Sequence, residues 1–149
     1  MISIAFLGVG RVFDGRLIEV FRDELSGIRV EVVCDLDSEK SARVAQIFGS
    51  DSETIDSKEF WNRDFDVVYI ATESGNHFAH AKAALEAGKH VFCEKPPGRT
   101  LEDIVRMKDA EEKNHGTKLM FGFNHRFHPG VMKAKAIVFS GSMGKVIAL

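Results

Sequence analysis

A pair of glycines near the amino terminus, Gly8 and Gly10, offers the first indication of chemistry. The pair follows an apolar stretch typical of a buried strand, and a helical pattern begins directly after it at Arg11 and Val12. Glycines at such a turn let the backbone approach a pyrophosphate, which the helix amino terminus then holds. The third glycine of the usual G-x-G-x-x-G pattern is Phe13 here, so we expect this side chain to push the first helix outward or to rotate it. Taken alone, the glycine pair is equally typical of a tight turn.

An acidic residue, Asp35, closes the second apolar stretch about 20 residues after the glycine pattern, which is the separation expected of a ribose-binding acid. Its carboxylate would accept hydrogen bonds from the 2′- and 3′-hydroxyls of an adenosine ribose and would repel a 2′-phosphate. Asp37 adds a second negative charge, and Leu36 between the two acids offers no arginine for such a phosphate. Together with the glycine turn, these residues predict NAD as the cofactor, preferred over NADP.

The elements that must position these residues alternate between short apolar stretches and longer amphipathic ones. Strands are predicted over residues 2–7, 29–34, 67–71, 90–93 and 118–123. Helices are predicted over residues 11–25, 38–48, 76–87, 101–113 and 130–139, with a short helical turn over 57–61. Ser38 is the expected amino-terminal cap of its helix. Because the strands are apolar throughout and separated by helices, they predict a doubly wound, mostly parallel α/β sheet of the Rossmann type with helices on both faces.

The composition describes an ordinary globular chain and excludes several classes of protein. The 149 residues carry a net charge of −2, without the basic surplus of a nucleic-acid or anionic-membrane binder. No stretch approaches the ~18 apolar residues of a membrane span, and the amino terminus lacks the basic region of a signal peptide. Two cysteines inside apolar stretches are too few for a disulfide framework. We therefore expect a cytoplasmic protein without a nucleic-acid or membrane partner.

A second group of residues follows the third apolar stretch and includes the run A-L-E-A-G-K-H-V-F-C-E-K-P that ends at Pro96. This run resembles the hallmark of the glucose–fructose oxidoreductase/inositol dehydrogenase (Gfo/Idh/MocA) family. The resemblance extends over essentially the whole chain, which corresponds to the amino-terminal cofactor domain of that family. It implies hydride transfer between NAD and a hydroxyl group of a sugar, a nucleotide sugar or a cyclitol.

The resemblance also implies roles for individual residues. Thr72 and His77 match a stretch that lines the dinucleotide, although Glu73 stands where the family has proline and adds a charge near the cofactor. In the family, the glutamate that Glu94 matches meets the nicotinamide ribose, and the lysine that Lys95 matches reaches both cofactor and substrate. Arg126 belongs to a segment that resembles N-x-R-[FY]-x-P, which implies a position near the nicotinamide end.

Lys95 is also a candidate from its chemistry alone. A cation at the carboxyl end of a parallel strand lies in the crevice where open α/β sheets bind ligands. There it could orient a substrate hydroxyl and help to move the proton that accompanies hydride transfer, so we predict it as the catalytic residue. The histidine pairs His77/His80 and His125/His128 have no carboxylates or thiolates at recognisable ligand spacing, and no metal site is predicted.

The resemblance implies a second domain that carries most of the substrate site, and this chain has no room for it. Residues 1–140 are therefore interpreted as the dinucleotide-binding domain and residues 141–149 as a stub of the first strand of the absent domain. Alone, the chain is expected to bind NAD with little or no turnover. An unpaired terminal strand invites pairing with another copy of the chain, so a homo-oligomer is one expected possibility.

Two other functions remain as alternatives. The same residues would support a stand-alone, non-catalytic module that binds or senses a dinucleotide. An S-adenosylmethionine-dependent methyltransferase also uses a glycine-rich first turn and an acid after the second strand. The run Glu94-Lys95-Pro96 argues against the methyltransferase, because methyl transfer has no need of that lysine.

Overall fold

Six parallel strands form a single sheet in a computed structural model that describes residues 1–13, 17–54, 59–145 and 147. The strands are β1 (Ile2–Leu7), β2 (Ile28–Asp35), β3 (Asp51–Thr54), β4 (Val67–Ile70), β5 (His90–Cys93) and β6 (Leu119–Phe121). The helices are α1 (Ser38–Phe48), α2 (His77–Glu86), α3 (Leu101–Lys113) and α4 (Pro129–Phe139). None of the described helices is long and apolar enough to cross a membrane.

The strand order, β3-β2-β1-β4-β5-β6, confirms the predicted doubly wound fold. From β1 the chain builds outward to β2 and β3, then returns to place β4 on the other side of β1. The order therefore reverses between β1 and β4. In such sheets ligands bind in the crevice outside the carboxyl ends of the strands, at this point of reversal.

Apolar side chains cover both faces of the sheet, as predicted for a sheet with helices on each side. On one face, alternate strand residues pack with side chains of α2 and α3 such as Leu85 and Met107. On the other face they pack with α1 and with an aromatic group that includes Phe6, Phe13 and Tyr69. We call the apolar residues on this second face the α1 layer. The helices packed on each face thereby position the loops at the carboxyl ends of the strands.

A β-bulge in β2 keeps both layers filled. Ile4 pairs with Val30, but Ala5 pairs with Val32, so Glu31 is an extra residue in the ladder. Val30 and Val32 would share a face in a regular strand, whereas here Val30 packs in the α1 layer and Val32 in the opposite one. The bulge thereby sets the face of every later residue of β2, including the acid at its end.

The cap of α1 differs from the prediction. Asp37, not Ser38, is the amino-terminal cap, and its carboxylate accepts the backbone N–H groups of Glu39 and Lys40 at 3.1 and 3.2 Å. These bonds hold the pKa of Asp37 below its usual range. Gly49 ends the helix in the left-handed conformation (φ +64°), which glycine adopts readily.

The helix predicted over residues 11–25 is found in part. Residues 14–16 lie outside the described residues, and the part nearest β2, Val20–Glu24, is a single π-helical turn closed by Leu25 N–H to the Val20 carbonyl at 3.1 Å. Leu17 and Phe21 of this segment pack against the α1 layer. Over Val20–Glu24 this segment is wound more widely than an α-helix.

Two further differences concern the edges of the fold. The prediction missed β3, an edge strand, and the predicted helical turn over 57–61 lies partly outside the described residues, which show a 3₁₀ turn at Phe60–Asn62. Residues 141–144 form a turn, and residues 146, 148 and 149 lie outside the described part, so the terminal strand stays a prediction. No residue of α4 is buried, and its exposed side chains include Met132 and Phe139.

Candidate functional site

A cleft of about 720 Å³ opens at the carboxyl ends of the strands, where the strand order reverses. This volume lies within the ~300–1,000 Å³ typical of cofactor sites. Most of the lining residues are ones that the sequence singles out: Gly8, Gly10, Arg11, Val12, Asp35, Leu36 and Thr72. Glu73, which the sequence also singles out, lines the cleft as well, and Ala71, Asn76 and His80 complete it. The glycine turn, the acid after β2 and the loop after β4 therefore meet in one cleft.

The two glycines of the turn differ in what surrounds them. Gly8 has φ +86°, and a Cβ atom there would lie 2.7 Å from the backbone nitrogen of Thr72, so only glycine fits. Gly10 has no such constraint, because a Cβ atom there would meet no protein atom within 4 Å. Gly8 is required by the packing of the turn against the loop after β4, while Gly10 leaves open space beside the cleft.

The side chain of Phe13 turns into the core. It is completely buried, and its ring centroid lies 4.6 Å from that of Phe6 and 5.6 Å from that of Tyr69. Its backbone N–H donates to the Gly10 carbonyl at 2.8 Å, which closes the turn. The glycine that the usual pattern has at this position is thus replaced by a ring that belongs to the α1 layer.

Asp35 is held by the backbone on both sides of the cleft. One carboxylate oxygen accepts the N–H of Val9 in the glycine turn at 2.7 Å, and the other accepts the N–H of Asp37 at 3.0 Å. Two backbone donors fix the orientation of a carboxylate that still has lone pairs to accept further hydrogen bonds. Leu36 is exposed beside it at the mouth of the cleft.

His77 is buried next to the cleft and is not among its lining residues. Its ring is 1% exposed, and its nitrogens lie 2.7 Å from the Pro96 carbonyl and 2.9 Å from the Thr72 carbonyl. The reason is its place as the first residue of α2, from which the side chain reaches back beneath the loops after β4 and β5. His77 therefore joins two loops and does not line the cleft.

His80, one helical turn later, lines the cleft in its place. Its Nδ1 lies 3.0 Å from the Thr72 hydroxyl, and burial together with the nearby His77 lowers its pKa. The sequence shows His80 only as half of a histidine pair, so its contact with the cleft was missed. Among the described residues, no group of three or more His, Cys, Asp or Glu side chains could hold a metal ion.

The carboxyl end of β5 carries Glu94 and Lys95, beyond the lining of the cleft but along the same edge of the sheet. Glu94 accepts a hydrogen bond from the Tyr69 hydroxyl at 2.6 Å and one from the Lys95 N–H at 3.2 Å. The Lys95 side chain is exposed, and its ammonium group has no ion-pair or hydrogen-bond partner among the described residues. Glu94 is anchored, whereas Lys95 is available to a ligand.

Arg126 follows β6, in a 3₁₀ turn over Asn124–Phe127. It is exposed, and its guanidinium lies 5.6 Å from the ring centroid of Phe127. It does not line the cleft in this structure. The second histidine of the His125/His128 pair caps α4, because its Nδ1 accepts the N–H of Gly130 at 3.1 Å.

Comparison with solved structures finds the same architecture. Scyllo-inositol dehydrogenase from Lactobacillus casei, solved with bound NAD(H) and scyllo-inositol, matches with a TM-score of 0.87 and 26% sequence identity, over 97% of this chain and 43% of that one. Aldose-aldose oxidoreductase from Caulobacter crescentus matches with a TM-score of 0.81 and 30% identity, over 96% of this chain and 44% of that one.

Comparison with curated proteins gives relatives of the same kind. Inositol 2-dehydrogenase 3 of Saccharopolyspora erythraea is 29% identical over 143 residues, which cover 96% of this chain and 42% of the relative. Levoglucosan dehydrogenase of Pseudarthrobacter phenanthrenivorans is 37% identical over 119 residues, which cover 79% of this chain and 30% of the relative. The chain thus spans less than half the length of these relatives. The family model for the GFO_IDH_MocA oxidoreductase family, NAD-binding Rossmann fold, matches residues 2–123, and the chain belongs to this family.

Proposed function

We propose that this chain supplies the cofactor half of a dehydrogenase active site that moves hydride between NAD and a hydroxyl group of a sugar, nucleotide sugar or cyclitol. Bound NAD supplies the hydride acceptor or donor. The observation that carries the proposal is the cleft at the reversal of strand order, where Gly10 leaves open space beside the fixed carboxylate of Asp35. Relatives that act on inositols and on levoglucosan support the substrate class.

The cleft residues divide between the two halves of a dinucleotide. Each half of a doubly wound sheet receives one mononucleotide, so the adenosine half lies over β1 and β2 and the nicotinamide half over β4 to β6. Gly10, Arg11 and Val12 hold the pyrophosphate through backbone N–H groups, a mode that requires no side chain. Gly8, whose N–H donates to the Cys34 carbonyl at 2.8 Å, gives the turn its shape. Thr72 and His80 lie where the two halves meet.

The cofactor preference rests on Asp35. Its carboxylate accepts the ribose hydroxyls of NAD and repels the 2′-phosphate of NADP. Leu36, which follows Asp35 and also lines the cleft, offers no positive charge to a phosphate. Arg11 is the cationic residue among the lining side chains, and we assign it to the pyrophosphate turn.

Lys95 is the residue that we assign to the reaction itself. It is exposed at the carboxyl end of β5, beside the anchored Glu94, and its ammonium carries three donors. From there it orients a substrate hydroxyl and helps to move the proton that leaves with hydride transfer. Glu94 binds the nicotinamide ribose, and Arg126 lies near the same end. The remaining substrate residues come from outside this chain, so the chain alone binds NAD without measurable turnover.

The alternatives raised from the sequence, a stand-alone sensing module and a methyltransferase, receive no support from the comparisons. The relatives reported above bear the names of dehydrogenases or oxidoreductases. We therefore retain a single proposed function.

The deciding experiment is a calorimetric titration of this chain with NADH and with NADPH. We expect NADH to bind at least about tenfold more tightly, because a hydrogen bond to a charged group contributes about 1.5–3 kcal/mol. Asp35→Ala should weaken NADH by about tenfold or more and bring the two dissociation constants within about twofold. Asp109→Ala, on the distant α3, is the matched control and should change neither.

Binding of neither cofactor would reject the proposed function. Equal binding of both by the unaltered chain, or a preference for NADH that survives in Asp35→Ala, would reject the role of Asp35 while leaving the cleft as a dinucleotide site.

A further inference from the structure

Tyr69 connects the buried aromatic layer to the carboxyl edge of the sheet. It lies in β4, it is 6% exposed, and its hydroxyl donates to Glu94 Oε1 at 2.6 Å. Tyr69 pairs in register with Phe92 of β5, so the side chains of Tyr69 and Phe92 lie on the same face of the sheet. Glu94 follows Phe92 by two residues. A buried phenol at mid-strand thus reaches a carboxylate at the edge where ligands bind.

The second oxygen of Glu94 is confined as well. Oε2 accepts the backbone N–H of Lys95 at 3.2 Å. On the other side lies Gly122, where a Cβ atom would be 3.1 Å from Oε2. Glu94 is therefore held by a side-chain donor, a backbone donor and the bare backbone of the loop after β6.

Aromatic packing fixes the Tyr69 ring. It stacks on Phe92 with centroids 4.9 Å apart, and it makes edge contacts with Phe13 at 5.6 Å and Phe21 at 5.7 Å. Phe13 stands where the usual pattern has its third glycine, so this substitution places a ring against Tyr69 that a glycine could not provide. Burial and the neighbouring Glu94 raise the pKa of Tyr69, and the hydroxyl keeps its proton as a donor.

We infer that Tyr69 is a positioning residue, which holds the Glu94 carboxylate in place for the nicotinamide ribose. The inference rests on the proposed function, because Glu94 has that role only when NAD is the ligand. Tyr69 does not line the cleft, so its effect on binding passes through Glu94. The effect is confined to the nicotinamide half of the ligand, because the Asp35 carboxylate is held separately, by backbone N–H groups near β1 and β2.

The test compares Tyr69→Phe with the unaltered chain in titrations with NADH and with ADP, which lacks the nicotinamide riboside. Removing the hydroxyl leaves the ring and frees the carboxylate. NADH should bind about five- to tenfold more weakly, and ADP should change by less than about twofold. In a Glu94→Ala background, Tyr69→Phe should cause no further loss, since the group that it positions is absent.

Phe48→Leu is the control for packing alone, because it removes a ring that packs on Phe6 in the same layer and removes no hydrogen bond. It should lower the melting temperature without changing the ratio of NADH to ADP affinity. Equal weakening of NADH and ADP by Tyr69→Phe, or unchanged NADH binding, would overturn the inference and leave the proposed function intact. Failure of the unaltered chain to bind NADH would overturn both.

Discussion

The two halves of the carboxyl edge are built by different means. Over β1 and β2 the groups that face the cleft are held by the backbone, as Asp35 is by the N–H groups of Val9 and Asp37. Over β4 to β6 a side chain takes part in the anchoring, since Glu94 accepts the Tyr69 hydroxyl as well as the Lys95 N–H, and the cations of Lys95 and Arg126 extend into solvent. The first half is preorganised for a ligand, whereas the second keeps mobile charges that order on a ligand at a cost in side-chain entropy.

The largest expected effect comes from breaking the first half at its tightest point. Gly8→Ala forces a Cβ atom against the Thr72 backbone at a positive φ angle, so we expect a loss of about 2–4 kcal/mol of stability together with loss of NADH binding. Gly10→Ala adds a methyl group in open space and should leave the melting temperature unchanged while abolishing NADH binding. Thermal unfolding and calorimetry separate the two, and equal destabilisation by both variants would contradict this distinction.

The next effect distinguishes the two histidines at the boundary between the halves. His77→Leu removes the ring whose nitrogens lie 2.7 Å from the Pro96 carbonyl and 2.9 Å from the Thr72 carbonyl, so at least one carbonyl loses its donor, and we expect a loss of about 1–3 kcal/mol in the free energy of unfolding. His80→Leu, at the cleft, should change stability little and weaken NADH by about two- to fivefold. Urea unfolding and NADH titration of both variants test this, and the opposite pattern would return His77 to the cofactor site.

A smaller effect is expected at Lys95 in the second half. Lys95→Gln removes an exposed charge that a dinucleotide attracts, so NADH should bind about two- to fivefold more weakly at low salt. The difference should shrink at salt concentrations of about 0.5–1 M, because the electrostatic screening length there is only a few ångströms. Lys82→Gln on α2, whose ammonium pairs with Glu86, is the control and should leave binding unchanged. A deficit that is insensitive to salt would argue against an electrostatic role.

The smallest effect concerns the loop that leads from Glu94 to α3. Asp103 accepts the N–H groups of Thr100 and Arg99, and the first of these is the main cause of its lowered pKa. A lowered pKa stabilises the fold above the ordinary aspartate pKa of about 4, and this contribution is lost as the pH falls through the lowered value. Asp103→Asn should therefore lower the melting temperature at pH 7 and approach the unaltered chain near pH 2.

Asp109→Asn, on the same helix, is the control for that experiment and should show no such dependence on pH. A deficit of Asp103→Asn that is equally large at pH 7 and at pH 2 would show that the carboxylate charge is not what holds the loop.

Much of the fold could be predicted because its strands are buried on both faces. Such strands are mostly apolar, and amphipathic helices separate them, so β1, β5 and α3 are predicted with the bounds that the structure has. The edge strand β3 could not be found this way. Its residues, Asp51–Thr54, are polar, and it becomes a strand only because the backbone of β2 is beside it to pair with.

The site divides in the same manner. The meeting of Gly8, Gly10 and Asp35 in one cleft could be predicted, because it depends on the backbone and on sequence spacing alone. The choice between His77 and His80 depends on where the first turn of α2 lies relative to two loops, which no local pattern records. The contact of Tyr69 with Glu94 joins two neighbouring strands, so it requires the register between them.

The polar strand β3 also determines where the sheet stops. Arg63 binds Asp51 through Nη1 at 2.7 Å and Glu53 through Nε at 2.6 Å, so side chains of the edge strand are engaged by a guanidinium that a seventh strand would have to displace. Charged edges resist the addition of foreign strands, which is how native sheets avoid growing into aggregates. The charged residues that conceal β3 in the sequence therefore disfavour the pairing of a foreign strand along that edge.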